Sequence, residues 1–297
     1  MKTSLLSLVA VVVTSSWAPA QTLLFNFHST AAADTGPVAA PYLLTDPAHA
    51  IGGLSASETT WNNFNTASPS SLLLGSNGSA ATGVSVVFGG ESAAGSGVLD
   101  YTSTAAIRTN VNLGSGGGAP GQQSLLGTGS IYGTNTTSTA PGRLGWLGSG
   151  ASNAGSAIGM RVDGLAAGDY TIYIMARNTN SNVASLPMLL YLATGATSNA
   201  FDFNLLSPGV QMNSGYTTGS YAGQFNTFTQ EDNYYSATVS LAAGQSLYLA
   251  SDGTGAETRG FLNMVEIVSV PEPSTITLTL VSLGAIGAVC IRRKRIC

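Results

Sequence analysis

Short stretches in which apolar and polar residues alternate one for one constrain this chain most. Successive side chains of a strand point to opposite faces, so such alternation marks a strand with one face buried. In Tyr170–Met175, Tyr170, Ile172 and Ile174 share one face while Thr171, Tyr173 and Met175 share the other. Ala237, Val239 and Leu241 alternate with Ser236, Thr238 and Ser240. Leu23–Phe27, Val84–Phe88, Met188–Leu192, Ser246–Ala250 and Phe261–Val268 are further expected strands. Turns are expected at Asp252-Gly253 and Ala167-Gly168-Asp169. No segment carries the periodicity of an amphipathic helix. The expected fold class is therefore all-β, a two-sheet β-sandwich.

Composition agrees with that expectation. Hydrophobic residues make up 44% of the 297, enough to bury a core. Charged residues make up only 8%, against about 25% in an average soluble domain. Glycine, hydroxyl and amide residues fill the polar positions, a mixture suited to many short strands and turns. Leu165-Ala166-Ala167-Gly168 and Leu241-Ala242-Ala243-Gly244 each lead into an expected strand, as one turn used twice. The run from Gly114 to Ser152, rich in Gly, Ser and Thr, reads as a long loop or a set of short strands.

Charge is distributed unevenly. Lys2 stands at the front, and Arg292, Arg293, Lys294 and Arg295 stand at the back. Between them lie only five cations, all arginine, against thirteen carboxylates, leaving the body near −8. A surface of that sign repels phosphate backbones, so no nucleic-acid partner is expected. Both cysteines, Cys290 and Cys297, lie in the tail. The body therefore has no disulfide, thiolate metal site or cysteine nucleophile.

The two ends are the most specific features. Met1-Lys2, an apolar run from Leu5 to Val13 and Ala18-Pro19-Ala20 form the three parts of a secretory signal peptide over residues 1–20. Cleavage after Ala20 would make Gln21 the new N-terminus and implies passage through the Sec translocon. At the other end, Val270-Pro271-Glu272-Pro273-Ser274 precedes an uncharged stretch from Thr275 to Ile291 and the basic cluster 292–295. As a single C-terminal transmembrane helix, 275–291 is roughly 26 Å long, near the lower limit for crossing a bilayer core. The four cations would hold its end in the cytoplasm and leave the body on the far side. Pro271 and Pro273 bias the chain before the membrane towards an extended form that a processing enzyme can grip.

This order of parts resembles the PEP-CTERM sorting signal of Gram-negative bacteria, with Pro271, Glu272 and Pro273 as the motif and 270–297 as the whole tail. The resemblance implies that the chain is the substrate of an exosortase, a membrane-embedded cysteine transpeptidase linked to exopolysaccharide production. The tail would be removed near the prolines and the body, residues 21–269, passed to the cell surface or matrix. Two stretches, Val162 to Arg177 and Phe261-Leu262-Asn263 through Ile267, also resemble jelly-roll ectodomains found ahead of such tails, many of them galactose-binding-like.

Residues that carry chemistry are sparse. His28 and His49 have no neighbouring ligand set in the sequence, so no metal centre is expected. A structural calcium ion held by carbonyls and carboxylates such as Asp252 needs no fixed spacing and stays open as a cofactor. There is no G-x-S-x-G elbow, and the adjacent acids Glu231-Asp232 read as an exposed loop. The expected function is that of a non-catalytic surface or matrix protein. The alternatives are a carbohydrate-binding module of the matrix and, behind it, a secreted glycan hydrolase. Candidate sugar-binding residues are Trp61, Asn62 and Asn63 and the pair Tyr234 and Tyr235, because sugars stack on aromatic faces while amides take their hydroxyls. The competing expectation is that Trp61 and Trp146 fill the sandwich core. Asn77-Gly78-Ser79 and Asn135-Thr136-Thr137 match the glycosylation acceptor pattern.

Overall fold

A computed structural model describes residues 21–27, 37–39, 46–64, 72–91, 93–102, 107–109, 147–149, 157–176, 187–206, 209–212, 230–231, 234–254 and 258–271. Sixteen strands are seen in them: β1 Leu23–Phe27, β2 Pro37–Ala39, β3 Thr60–Phe64, β4 Ser85–Glu91, β5 Val98–Asp100, β6 Ile107–Thr109, β7 Leu147–Ser149, β8 Ile158–Asp163, β9 Gly168–Met175, β10 Met188–Ala196, β11 Ala200–Asp202, β12 Val210–Met212, β13 Tyr235–Leu241, β14 Gln245–Gly253, β15 Phe261–Leu262 and β16 Met264–Ser269. One short α-helix, α1, spans Pro47–Ala50, and a 3-10 turn spans Phe203–Leu205.

The strands form a sandwich. One sheet runs β13-β9-β16-β1-β3-β2 and the other β11-β5-β4-β8-β14-β10-β12, with a small third sheet, β15-β7-β6. Pairings are antiparallel except β1 with β3, which run parallel. The faces follow the alternation in the sequence. Tyr170, Ile172 and Ile174 of β9 join Val265 and Ile267 of β16 and Leu23, Phe25 and Phe27 of β1 in the inter-sheet core. Val86 and Phe88 of β4, Met160 and Val162 of β8, and Leu247 and Leu249 of β14 meet them from the other sheet. At its centre Phe88 stands edge-on to Phe64 at 5.1 Å and to Phe27 at 5.6 Å. Fully burying each such ring contributes about 1.5–3 kcal/mol.

The opposite faces carry smaller apolar clusters. Outside the six-stranded sheet lie Leu24, Trp61, Tyr173, Met175, Tyr234, Met264 and Val268, covered by Ala48 of α1 and by Leu54. Outside the seven-stranded sheet lie Leu99, Tyr101, Phe201, Phe203, Tyr248 and Ala250. Both copies of the Leu-Ala-Ala-Gly turn bury their leucine in the main core, Leu165 and Leu241, and end on a positive-φ glycine, Gly168 and Gly244.

Three expectations change. Asp252-Gly253 is the end of β14 rather than a turn, because β10 pairs along its full length. The expected strand Phe261–Val268 divides at Asn263 into β15 and β16, which belong to different sheets. A helix exists where none was expected: Asp46 caps it through its carboxylate and Pro47 occupies its first turn. The expected signal peptide, the expected helix 275–291 and the basic cluster 292–295 lie outside the described residues. So does most of 114–152, of which β7 is seen.

Candidate functional site

The tail leaves the body from a central strand. β16 is paired on one side with β9 and on the other with β1, and Met264 through Val268 are buried. Its last ladder bond is donated by Val270 N to Asp169 O at 2.8 Å. Pro271 follows, exposed and with no N–H to donate, so pairing stops there. Beside it starts β1. Thr22 Oγ1 accepts a hydrogen bond from Ser269 N at 3.2 Å and meets Ser269 Oγ at the same distance. Thr22 O also accepts from Ser76 N at 2.9 Å. Gln21, the expected N-terminus, and Pro271, the first proline of the motif, therefore leave the same end of the same sheet. Glu272 and Pro273 lie outside the described residues.

The aromatic candidates are placed differently from a sugar platform. Trp61 is fully buried, pointing away from the inter-sheet core into the outer cluster beneath α1. Asn62 is buried and spends its amide on backbone: Nδ2 donates to Leu24 O at 3.2 Å and Leu74 O at 2.8 Å, and Oδ1 accepts from Leu74 N at 2.9 Å. Asn63 lies on β3 opposite Asn26 of β1. Tyr234 is buried 6.2 Å from the ring of Tyr173, and Tyr235 is half-buried against the main core. Trp61 and Tyr234 thus share one cluster, but as packing residues they offer no open face for a sugar. The physical reason is that α1 and Leu54 cover them, which the spacing along the chain does not reveal.

Under α1 lies a group of polar side chains that the sequence reading did not single out. Asp46 is fully buried; its Oδ1 accepts from His49 N at 3.1 Å, and both its oxygens face His49 Nδ1, at 2.7 and 2.8 Å. Glu266 of β16 is fully buried beside Asp46, and its Oε2 accepts from Ala48 N at 3.0 Å. Burial raises the Glu266 carboxyl well above the ordinary range, and the adjacent Asp46 adds to the effect. Two sequence signals point here: Asp before Pro is a helix start, and Glu266 is the one charge between Met264 and Val268.

A second acidic pair stands at an end of the seven-stranded sheet. Glu91 is buried and accepts from Ala157 N at 2.6 Å, from Ser96 Oγ at 3.2 Å and from Gly97 N. Burial pushes Asp252 up to about 6, with the charge of Glu91 adding to it. Glu91 Oε1 thus holds the turn after β4 and Oε2 the entry to β8, a structural duty. At the other end Arg161 grips Asp163 through Nε at 2.8 Å and Nη2 at 2.9 Å, donates to Ser198 O, and lies 5.3 Å over the Tyr101 ring. Among the described residues no three His, Cys, Asp or Glu side chains gather as a metal ligand set, and no helix is long and apolar enough to cross a membrane. Glu231 is exposed, and Asp232 lies outside the described residues.

Comparison with known proteins speaks to the tail. Residues 269–294 match the PEP-CTERM protein-sorting motif. The chain carries the address of an exported, sorted protein, and that address begins on the last residue of β16. No curated protein matches the chain. A solved structure similar to part of it is that of TmCBM61 in complex with β-1,4-galactotriose, at 10% identity and a TM-score of 0.23, covering 44% of this chain and 74% of the other.

Proposed function

We propose that this chain is a non-catalytic cell-surface or extracellular-matrix protein, made as a membrane-anchored precursor and released from its tail by an exosortase. The observation that carries the reading is the sorting motif at 269–294, spliced directly onto a buried central strand. Because Pro271 is exposed and Ser269 is the last residue of β16, a cut at or after the prolines removes the tail and spares the sandwich. Because β1 starts beside that exit, signal-peptide removal and tail removal take place at one end of the body, the end turned towards the membrane. The body contributes a stable cargo with an acidic surface. Its buried carboxylates serve as caps and clamps, which supports a role without catalysis.

Mass spectrometry of the protein from its host tests this. The mature form is expected to begin at Gln21 and to end near Pro273, and deletion of the exosortase should leave the tail attached. A mature protein that keeps residues 275–295 in a host with an active exosortase would overturn the reading.

A further inference from the structure

The polar group under α1 has a geometry that a purely structural cap does not need. A cap requires Asp46 alone. Here Glu266 rises from a central strand to meet the same helix, places Oε2 on Ala48 N, and leaves Oε1 with no donor among the described residues. Nε2 of His49 is likewise buried without a partner among them. Two carboxyls and an imidazole therefore share one dry space between a four-residue helix and the outer face of a sheet. The groups facing Glu266 are Asp46 ahead of the helix, Tyr173 from β9, and Tyr234 just ahead of β13, while His49 faces Asp46. No lysine or arginine is among them.

Two adjacent buried carboxylates cannot both ionise without repulsion, and a proton on Glu266 removes it. A proton held there has a mechanical effect, because without it the charges of Glu266 and Asp46 oppose each other across the helix–sheet junction that the Ala48 amide bond spans. The rest of the cover is small: Ala48 and Leu54 pack against the cluster, while Ala50, Ile51 and Gly53 face solvent. We propose that the segment Asp46–Leu54 is a proton-held strap. A proton held on Glu266 keeps it seated over Trp61, Tyr173 and Tyr234, and loss of that proton to alkaline solvent lifts it and uncovers those rings. The covered residues are the ones whose types suit sugar stacking, so opening would turn a packed cluster into an accessible aromatic face.

Trp61 reports on the strap directly. In the full-length protein carrying Trp17→Phe and Trp146→Phe, Trp61 is the sole tryptophan. Its emission and its quenching by acrylamide are followed from about pH 5 to about pH 9, a range that brackets known raised carboxyls. The proposal expects a red shift and a several-fold rise in quenching as pH increases, and a flat profile in Glu266→Gln. If Glu266→Gln fails to fold, Asp46→Asn keeps the cap, removes the neighbouring charge, and should move the midpoint to lower pH. A profile that is flat in the parent, an equal red shift in Glu266→Gln, or an unmoved midpoint in Asp46→Asn would each overturn it.

Discussion

The hydroxyls of Thr22 and Ser269 meet at 3.2 Å although 247 positions separate them in the chain. This contact closes the six-stranded sheet at the end from which both termini of the body depart. The strand that leads to the sorting tail is also the last one made, and it fills the gap between β9 and β1. The sheet is complete only when the chain has been delivered up to its tail.

Truncation should therefore show a sharp boundary. A chain of residues 21–271 retains every described strand and is expected to melt within about 2 °C of the full-length body, followed by circular dichroism. A chain ending at Asn263 lacks β16, leaves β1 and β9 without their shared neighbour, and should show no cooperative transition.

Phe88 packs edge-on against two other rings at the centre of the sandwich. Phe88→Ala should lower unfolding free energy by about 3–5 kcal/mol in urea titrations, since the cavity adds to the lost transfer energy. Trp61→Ala should also destabilise the body, although the ring lies outside the inter-sheet core.

Two glycines in strands make a controlled comparison. A Cβ on Gly159 would stand 1.9 Å from Leu249 O, a backbone atom of the paired strand. Gly159→Ala should cost about 1–3 kcal/mol or more through forced separation of β8 and β14. On Gly195 the nearest atom to a Cβ is 4.0 Å away, on the Tyr248 ring. Gly195→Ala should be neutral or stabilise by about 0.4–1 kcal/mol, because it restricts only the unfolded chain.

Asp252 sets a pH dependence of unusual sign. Its carboxyl is held up to about 6 in the fold, above the value of about 3.9 in an unfolded chain. The folded state keeps a proton that the unfolded state has released, so stability falls as pH rises from about 4 to about 6 and then levels. Asp252→Asn should flatten that segment of a melting-temperature profile. A parent protein whose melting temperature rises through the same interval would contradict the assignment.

Arg161 is held by a planar fork that lysine cannot copy. It binds both oxygens of Asp163 and lies over Tyr101. Arg161→Lys should cost about 1–3 kcal/mol in chemical denaturation, from lost charged hydrogen bonds and stacking.

Much of this protein was legible before folding. Alternation in Tyr170–Met175 assigned each side chain to its face, and Leu23–Phe27 is β1 to the residue. The tail was legible for the same reason: apolarity, charge and proline act on the segment that contains them. Short strands with little alternation escaped, such as β5 and β11, and so did β8, whose outward Arg161 is buried against the Tyr101 ring rather than exposed.

What sequence alone determined, then, is the period-two faces of the strands and the sorting motif at 269–294. The tertiary structure decided which strands lie side by side, that β1 and β16 adjoin, that Trp61 is covered, and that Glu266 meets Asp46. Those facts join residues up to 247 positions apart. Local pattern states that a face must be buried and is silent on what buries it; that choice is made by the closure of the whole sheet, where distant partners offset the entropy of ordering the chain between them.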